Sequence, residues 1–292
     1  MKLQPNLFLL GLPKCGTSTF FDQLCKHSAI EGTNPKETFQ LLDEDSELIT
    51  LKKHDSWKHV MPHSSDQVSY VLEGSTHTIF QKMAPEYFKR NPEVKGIIVL
   101  RDPVKRIYSS FNFTKYNLNS INPIISFDAY VNDLLADADF QYIKNEVSRF
   151  VLSHELYYSK YDYVLQSWQS LIKEGRVKII IFEALIDSPE DIYRDLFNWL
   201  AITQEKIWET KAKNTTLQPK KEWLHQLAVI VNKKVYNWRV FQPIKKLYKS
   251  NMTKVHHATE EDLKAMNKLR GALNDSIENL NRQFGIDTSY WK

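Results

Sequence analysis

Residues 7 to 20 combine a short apolar strand, a loop and the start of a helix. The loop contains Lys14 and Gly16, and three hydroxyl residues open the helix: Thr17, Ser18 and Thr19. Free backbone amides and the positive end of the helix dipole would face an anion at the carboxyl end of the strand, where the Lys14 ammonium adds charge. Gly16 allows the backbone to approach such a ligand closely. The stretch therefore predicts an anion-binding site.

The main alternative for this loop is the Walker A motif, which places a lysine directly after its second glycine. Gly11 and Gly16 have the separation of that motif, but Thr17 occupies the lysine position and Lys14 lies inside the loop. The pattern therefore departs from that of a nucleoside triphosphatase. A nucleoside-phosphate kinase with a degenerate loop stays open as an alternative enzyme class, and a non-catalytic nucleotide-binding module as an alternative without turnover.

A second strand-to-helix junction lies at residues 96 to 111. An apolar run typical of a buried strand ends at Arg101, and Pro103 falls in the first turn of the next helix, where its fixed φ is favourable. Ser109 lies two helical turns beyond Arg101.

Together the two junctions resemble those of sulfotransferases that use 3′-phosphoadenosine 5′-phosphosulfate (PAPS). The first is similar to the family's Pro-Lys-x-Gly-Thr-Ser/Thr loop, which binds the 5′-phosphosulfate, with matches at Pro13, Lys14, Gly16, Thr17 and Ser18. The second is similar to the element that binds the 3′-phosphate, with matches at Arg101 and Ser109. The resemblance implies PAPS as sulfuryl donor and adenosine 3′,5′-bisphosphate as product. Residues implied to contact the donor are Lys14, Cys15, Gly16, Thr17, Ser18, Thr19, Arg101 and Ser109.

Two later stretches resemble the same family more loosely. One is a tyrosine-leucine-tryptophan helix with matches at Lys160, Tyr161, Leu165 and Trp168. The other is residues 177–185, interpreted as a late core strand ending in Phe-Glu-x-Leu. The resemblance spans residues 7 to about 200.

Two residues are candidates for the base that takes the acceptor proton. Glu37 resembles the catalytic glutamate in the Lys/Asn-Glu-x-x-Phe-Phe stretch of heparan-sulfate-type sulfotransferases, although Thr38-Phe39-Gln40 departs from the aromatic pair. His77 follows a predicted strand ending at Glu73, and histidine titrates near the pH of most enzymes. Glu37 is the preferred base, with His77 as the alternative. Lys14 is the catalytic charge stabiliser.

The acceptor is less defined. The heparan-type pattern expects Glu-Lys-Ser/Thr-Pro where this chain has Glu73-Gly74-Ser75-Thr76, so a lysine is missing, and Lys36 could replace its charge. The sequence therefore favours a hydroxyl or amine of a small, natural-product-like molecule. A glycan or lipid-linked saccharide is the alternative.

We expect one α/β domain over residues 1–292, with a central parallel sheet flanked by helices and a P-loop-like strand-loop-helix. Residues 1–200 form the predicted cofactor-binding core and 201–292 a mainly helical, basic extension. A long helix is predicted over residues 148–173, with Tyr157 and Trp168 in one buried stripe. The last helix is predicted to begin after Thr259 as N-cap and to pack against the sheet domain.

The total formal charge of +4 is unevenly distributed. Residues 211–254 contain ten lysines and one arginine against Glu222 alone, a net +10 that leaves −6 for the rest. This segment could close over an anionic cofactor, attract an acidic acceptor or form a solvated helical face. Nucleic-acid binding is disfavoured because no recognised module accompanies the charge.

The sequence suggests neither a signal peptide nor a membrane anchor, so we expect a cytoplasmic protein. Two cysteines, Cys15 and Cys25, are too few for a disulfide framework. Cys15 at a helix N-terminus is expected to have a lowered pKa and to be easily alkylated, without a catalytic role. The histidines lack ligand spacing, so no metal is expected.

Overall fold

The computed structural model describes residues 4–50, 67–207, 217–219, 252–254 and 258–291. Its centre is a parallel sheet of five strands in the order β2-β3-β1-β4-β5. The strands are β1 (Leu7–Gly11), β2 (Ile30–Gly32), β3 (Tyr70–Glu73), β4 (Lys95–Leu100) and β5 (Val177–Ile181). A separate antiparallel pair joins Leu217–Pro219 (β6) to Met252–Lys254 (β7).

Strand β1 lies at the centre and is buried along its whole length. It pairs with β3 on one side and with β4 on the other. Such continuous apolar strands are typical of parallel sheets that helices cover on both faces. All five carboxyl ends lie at one edge, which is where ligands bind in open sheets of this kind.

Helices connect the strands and cover the sheet. They are α1 (Thr17–Leu24), α2 (Met83–Arg90), α3 (Pro103–Asn112), α4 (Phe127–Leu135), α5 (Glu146–Ser153), α6 (Glu155–Ser159), α7 (Tyr161–Val164), α8 (Gln169–Lys173), α9 (Phe182–Asp187), α10 (Pro189–Leu200) and α11 (Glu260–Phe284). A π-helical turn, Phe113–Asn117, extends α3, and a 3-10 turn, Thr78–Phe80, follows β3.

The single helix predicted over residues 148–173 is wrong: four short helices and a 3-10 turn occupy that stretch. The chain leaves helical geometry at Lys160, whose ψ is 73°. The helical spacing of the apolar side chains continues through these breaks, which is why the sequence suggested one helix. Trp168 is fully buried as expected, but Tyr157 is 42% exposed and leaves the stripe.

The strand predicted to continue to Leu185 ends at Ile181. Ile181 pairs with Leu100, the last residue of the neighbouring strand β4, so β4 offers no residue with which Phe182 could pair. Residues from Phe182 onward form α9 instead.

The last helix, α11, begins as predicted, with Thr259 as N-cap in a capping box with Asp262. It packs against α3, α4 and α7 rather than directly on the strands. Most of the basic segment lies outside the described residues. None of the described helices has the length and apolar character needed to cross a membrane.

Candidate active site

The predicted anion loop connects β1 to α1. Gly16 is the N-cap of α1 with φ of 76°, and it has no side chain to cap the helix. The positive end of the α1 dipole therefore lies at the carboxyl edge of the sheet without a capping side chain from Gly16. Thr17 is buried, whereas Ser18 and Thr19 are half-buried.

At two positions of the loop, both the positive φ and the closeness of neighbouring atoms favour glycine over any residue with a side chain. A Cβ on Gly11, whose φ is 139°, would lie 2.5 Å from the carbonyl oxygen of Thr76. A Cβ on Gly16 would lie 2.4 Å from the ring of Phe182. The loop is thus packed between the segment after β3 and the start of α9, which restricts its conformation.

Arg101 lies directly after β4 and contacts the loop. Its Nη1 donates a hydrogen bond of 2.9 Å to the carbonyl oxygen of Lys14, and its guanidinium lies 5.0 Å from the centroid of the Phe182 ring. Within the described residues, its buried Nε atom has no hydrogen-bond partner. Tyr161 fixes the backbone by donating to the Arg101 carbonyl over 2.9 Å. Arg101 therefore retains a donor for a ligand.

The Lys14 ammonium lies 3.7 Å from the centroid of the Phe113 ring. Burial, reinforced by the positive charge of Arg101, lowers the pKa of Lys14 to about 8. The positive charge of Arg101 disfavours the charged form of Lys14, and a bound anion would offset that repulsion. This arrangement fits a ligand that carries several negative charges.

Ser109 lies on α3, half-buried, beyond the strand end that carries Arg101. The start of α3 is fixed by Asp102, whose carboxylate accepts from the amides of Val104 and Lys105. Asp102 therefore fixes the helix start between Arg101, which follows β4, and Ser109 on α3.

Contacts from the end of the chain secure this element, and sequence reasoning missed them. Arg270 on α11 donates to Oδ2 of the fully buried Asp102 over 2.6 Å. Glu183 accepts from the Asp102 amide through Oε1 and from Trp291 through Oε2, both over 3.0 Å. The two residues of each contact lie far apart in the sequence, so no local pattern indicates that they meet.

Cys15 differs from expectation. Its side chain is fully buried, and burial raises the pKa of the thiol to about 12, although two arginines oppose that shift. The prediction of a lowered pKa and easy alkylation is therefore wrong, because the thiol points into the core rather than toward the helix terminus. Any ligand contact of Cys15 must come from its backbone.

Glu37 lies in an extended segment beside the residues that follow β3. Its Oε1 accepts from the Lys36 ammonium over 2.9 Å, and that ammonium also donates to the Gly74 carbonyl over 2.6 Å. The Gly74 amide in turn donates to the Lys36 carbonyl over 3.0 Å. Glu37 is therefore held at the carboxyl edge of β3, with about a third of its side chain exposed.

His77 also lies after β3, half-buried among aromatic side chains. Its ring centroid is 6.1 Å from that of Tyr158 and 6.2 Å from that of Phe80. Its Nε2 atom is buried and has no partner among the described residues. Burial, with the charge of Arg106 as a second cause, lowers the pKa of His77 to about 4.

Two buried carboxylates near these residues were not singled out by the sequence. Glu73 ends β3 and accepts from the amide and hydroxyl of Thr38 and from the amide of Ser75, while burial raises its pKa. Glu155 pairs with the fully buried Arg106. Glu73 thereby anchors the segment that carries Glu37 to the end of β3.

Comparisons with known proteins bear on the family and the fold. The family model described as "Sulfotransferase domain" matches residues 4–266. A sulfotransferase from Alicyclobacillus acidocaldarius superposes with a TM-score of 0.68 and 17% identity, over 99% of both chains. A mouse sulfotransferase complexed with PAP gives a TM-score of 0.49 and 14% identity, over 96% of this chain and 86% of that one.

Among curated sequences, carbohydrate sulfotransferase 15 of Rattus norvegicus is 26% identical over 38% of this chain. The alignment covers 27% of that protein, so the chain spans about a quarter of the length of the curated relatives it matches. The fold similarity extends over the full chain, and the family match extends from residue 4 to residue 266. By that family match, the chain belongs to the sulfotransferase domain family.

Proposed function

We propose that the protein transfers the sulfuryl group of PAPS to a hydroxyl or amine of a small molecule. The observation that carries this proposal is the contact between Arg101 and Lys14, which joins the two predicted anion-binding elements into one site. Three features fit a ligand with phosphate groups: the N-terminus of α1, the buried Nε of Arg101 and the positive charges of Lys14 and Arg101.

PAPS would supply an activated sulfuryl group whose leaving oxygen becomes a phosphate oxygen. The first amides of α1 and the hydroxyls of Ser18 and Thr19 would hold the 5′-phosphosulfate. Arg101 and Ser109 would bind the 3′-phosphate. Lys14 stabilises negative charge that develops on the leaving oxygen, as fixed cations do in phosphoryl transfer.

Glu37 is the base that the site supports best. The Nε2 atom of His77 is buried, so an acceptor hydroxyl does not reach it without a rearrangement, whereas about a third of the Glu37 side chain is exposed. Glu37 presents Oε2 without a partner in the described part of the chain, because Lys36 contacts only Oε1. That oxygen is available to an acceptor proton at the carboxyl edge of the sheet.

The proposed acceptor is a small, natural-product-like molecule. A saccharide is the second candidate, favoured by the partial similarity to carbohydrate sulfotransferase 15. Gly74 argues for the first, since the lysine of the heparan-type pattern is missing there.

Radiolabelled PAPS distinguishes these possibilities when it is offered with 4-nitrophenol, a primary alcohol, a primary amine or a heparan oligosaccharide. We expect label to appear on at least one of the three small acceptors. Transfer only to the oligosaccharide would replace the small-molecule proposal by the saccharide one. Transfer to none of them, combined with phosphoryl transfer from ATP, would overturn the proposal.

A further inference from the structure

The space beside Gly74 is filled by a lysine from another segment. A Cβ on Gly74 would lie 3.0 Å from Cγ of Lys36, 3.1 Å from its Cε and 2.9 Å from the ring of Phe21. The stem of Lys36 therefore occupies the volume that a side chain at residue 74 would need. Its ammonium then bonds to the Gly74 carbonyl, with only 19% of the side chain exposed.

The placement of this ammonium has a consequence for Glu37. Of its three N–H donors, one contacts the Gly74 carbonyl and one contacts Oε1 of Glu37. The first bond anchors the cation to the end of the sheet, and the second holds the carboxylate in one orientation. Because Oε1 accepts from Lys36, Oε2 is the oxygen of Glu37 that remains for the proton of the acceptor.

We propose that Lys36 is a positioning residue for Glu37 and that it supplies, from the neighbouring segment, the cation that residue 74 lacks. This inference rests on the proposed function, in which Glu37 takes the acceptor proton. Orientation matters because a base displaced by about 1 Å from its productive position loses a large part of its effect. Lys36 acts through Glu37, so its loss should reduce turnover rather than donor binding.

Lys36→Met tests this directly because methionine keeps most of the stem and removes the charge. With radiolabelled PAPS and the small acceptor that the wild type sulfates fastest, we expect kcat to fall at least about tenfold. The KM for PAPS and the affinity for adenosine 3′,5′-bisphosphate should change less than about threefold. Lys89→Met is the matched control, since Lys89 is an exposed lysine on α2, before β4, and should retain wild-type kcat.

Two further variants separate positioning from a merely structural role. Since Lys36 acts through Glu37, Lys36→Met combined with Glu37→Gln should be no slower than Glu37→Gln alone. The exchange Lys36→Ala with Gly74→Lys places an ammonium on the facing segment after the Lys36 stem is removed, with a shift of the Phe21 ring edge, which would lie 2.9 Å from the new Cβ. It should recover at least about half of the kcat lost in Lys36→Ala, judged in a protein that still binds the bisphosphate.

The inference would be overturned if Lys36→Met kept the wild-type kcat. It would also be overturned if the losses of Lys36→Met and Glu37→Gln added up in the double variant. Neither outcome would contradict sulfuryl transfer by the wild-type protein. A swapped variant that binds the bisphosphate but recovers no rate would likewise overturn the inference. If the wild-type protein transferred no sulfuryl group from PAPS, the proposed function would fail, and the inference with it.

Discussion

Arg101 donates a hydrogen bond from Nη1 to the backbone carbonyl of Lys14 over 2.9 Å, although 87 positions separate them. The arginine thereby couples the end of β4 to the loop after β1. A change at Arg101 should therefore alter the position of Lys14 as well as its own ligand contacts. In the proposed function, the two elements act as one anion site rather than as two independent ones.

Replacement of Lys14 by alanine should reduce turnover far more than nucleotide affinity. Its charge matters most when the leaving oxygen becomes negative, and loss of such a donor typically reduces kcat about a hundredfold or more. Steady-state kinetics with PAPS and titration with adenosine 3′,5′-bisphosphate measure the two effects. A variant that loses affinity at unchanged kcat would contradict the assigned role.

The pKa of Lys14 predicts proton uptake on ligand binding. Because that pKa is about 8, the free protein at pH 8 holds Lys14 about half protonated, and an anionic ligand favours the protonated form. Binding of the bisphosphate at pH 8 should therefore take up roughly half a proton, and affinity should decline as pH rises above 8. Calorimetry in buffers of different ionisation enthalpy measures the uptake. Its persistence in Lys14→Ala would assign the proton to another group.

The two candidate bases give opposite expectations. Glu37→Gln keeps the shape of the side chain and removes its basicity, so turnover should fall about a hundredfold with normal bisphosphate binding. His77→Asn should lower turnover less than tenfold, because the Nε2 atom of His77 is buried and not exposed to an acceptor. A near-normal Glu37→Gln beside an inactive His77→Asn would reverse the assignment.

Loss of Arg270 should destabilise the protein. Asp102 is fully buried, and Arg270→Met removes the hydrogen-bond donor to its Oδ2 while the Lys105 ammonium stays 3.8 Å away. Loss of such a charged hydrogen bond typically lowers the free energy of unfolding by about 1.5–3 kcal/mol. Urea unfolding measures the change. Arg194→Met is the control, since that arginine forms an exposed pair with Asp191 and should change stability by less than about 0.5 kcal/mol. Equal stability of the Arg270 variant and the wild type would show that α11 does not secure Asp102.

Local patterns predicted the parts of the fold that depend on local chemistry. The glycine-containing loop after β1, the proline that opens α3 and the capping box at Thr259 each involve neighbours in sequence. Their physical causes are short-range, so residue types at fixed spacing were sufficient. The strand before the Lys14 loop and the strand that ends at Glu73 were located in the same way.

Other features depend on tertiary contacts and were not predictable. Burial of Cys15 reversed its expected pKa shift, because the direction of a side chain relative to the core is not encoded in a loop motif. The division of residues 148–173 into short helices keeps the same periodicity as one helix. Contacts such as Arg270 with Asp102, or Lys36 with Gly74, join distant segments and have no local signature.

The central claim is that Arg101 and Ser109 recognise a 3′-phosphate beside the loop of Lys14. Adenosine 3′,5′-bisphosphate and adenosine 5′-monophosphate differ only in that group, so the ratio of their affinities isolates it. Any shift of the Lys14 loop in an Arg101 variant affects both ligands through their shared 5′-phosphate. Ser109→Ala provides a second variant that leaves the bond to Lys14 intact.

The most direct test is calorimetric titration of wild type, Arg101→Ala and Ser109→Ala with both nucleotides. We predict that the wild type prefers the bisphosphate by at least about a hundredfold, since each charge-assisted contact contributes about 1.5–3 kcal/mol. Arg101→Ala should lose at least about tenfold of that preference, and Ser109→Ala a smaller part. Equal affinity of the wild type for the two nucleotides, or an unchanged ratio in Arg101→Ala, would contradict the account.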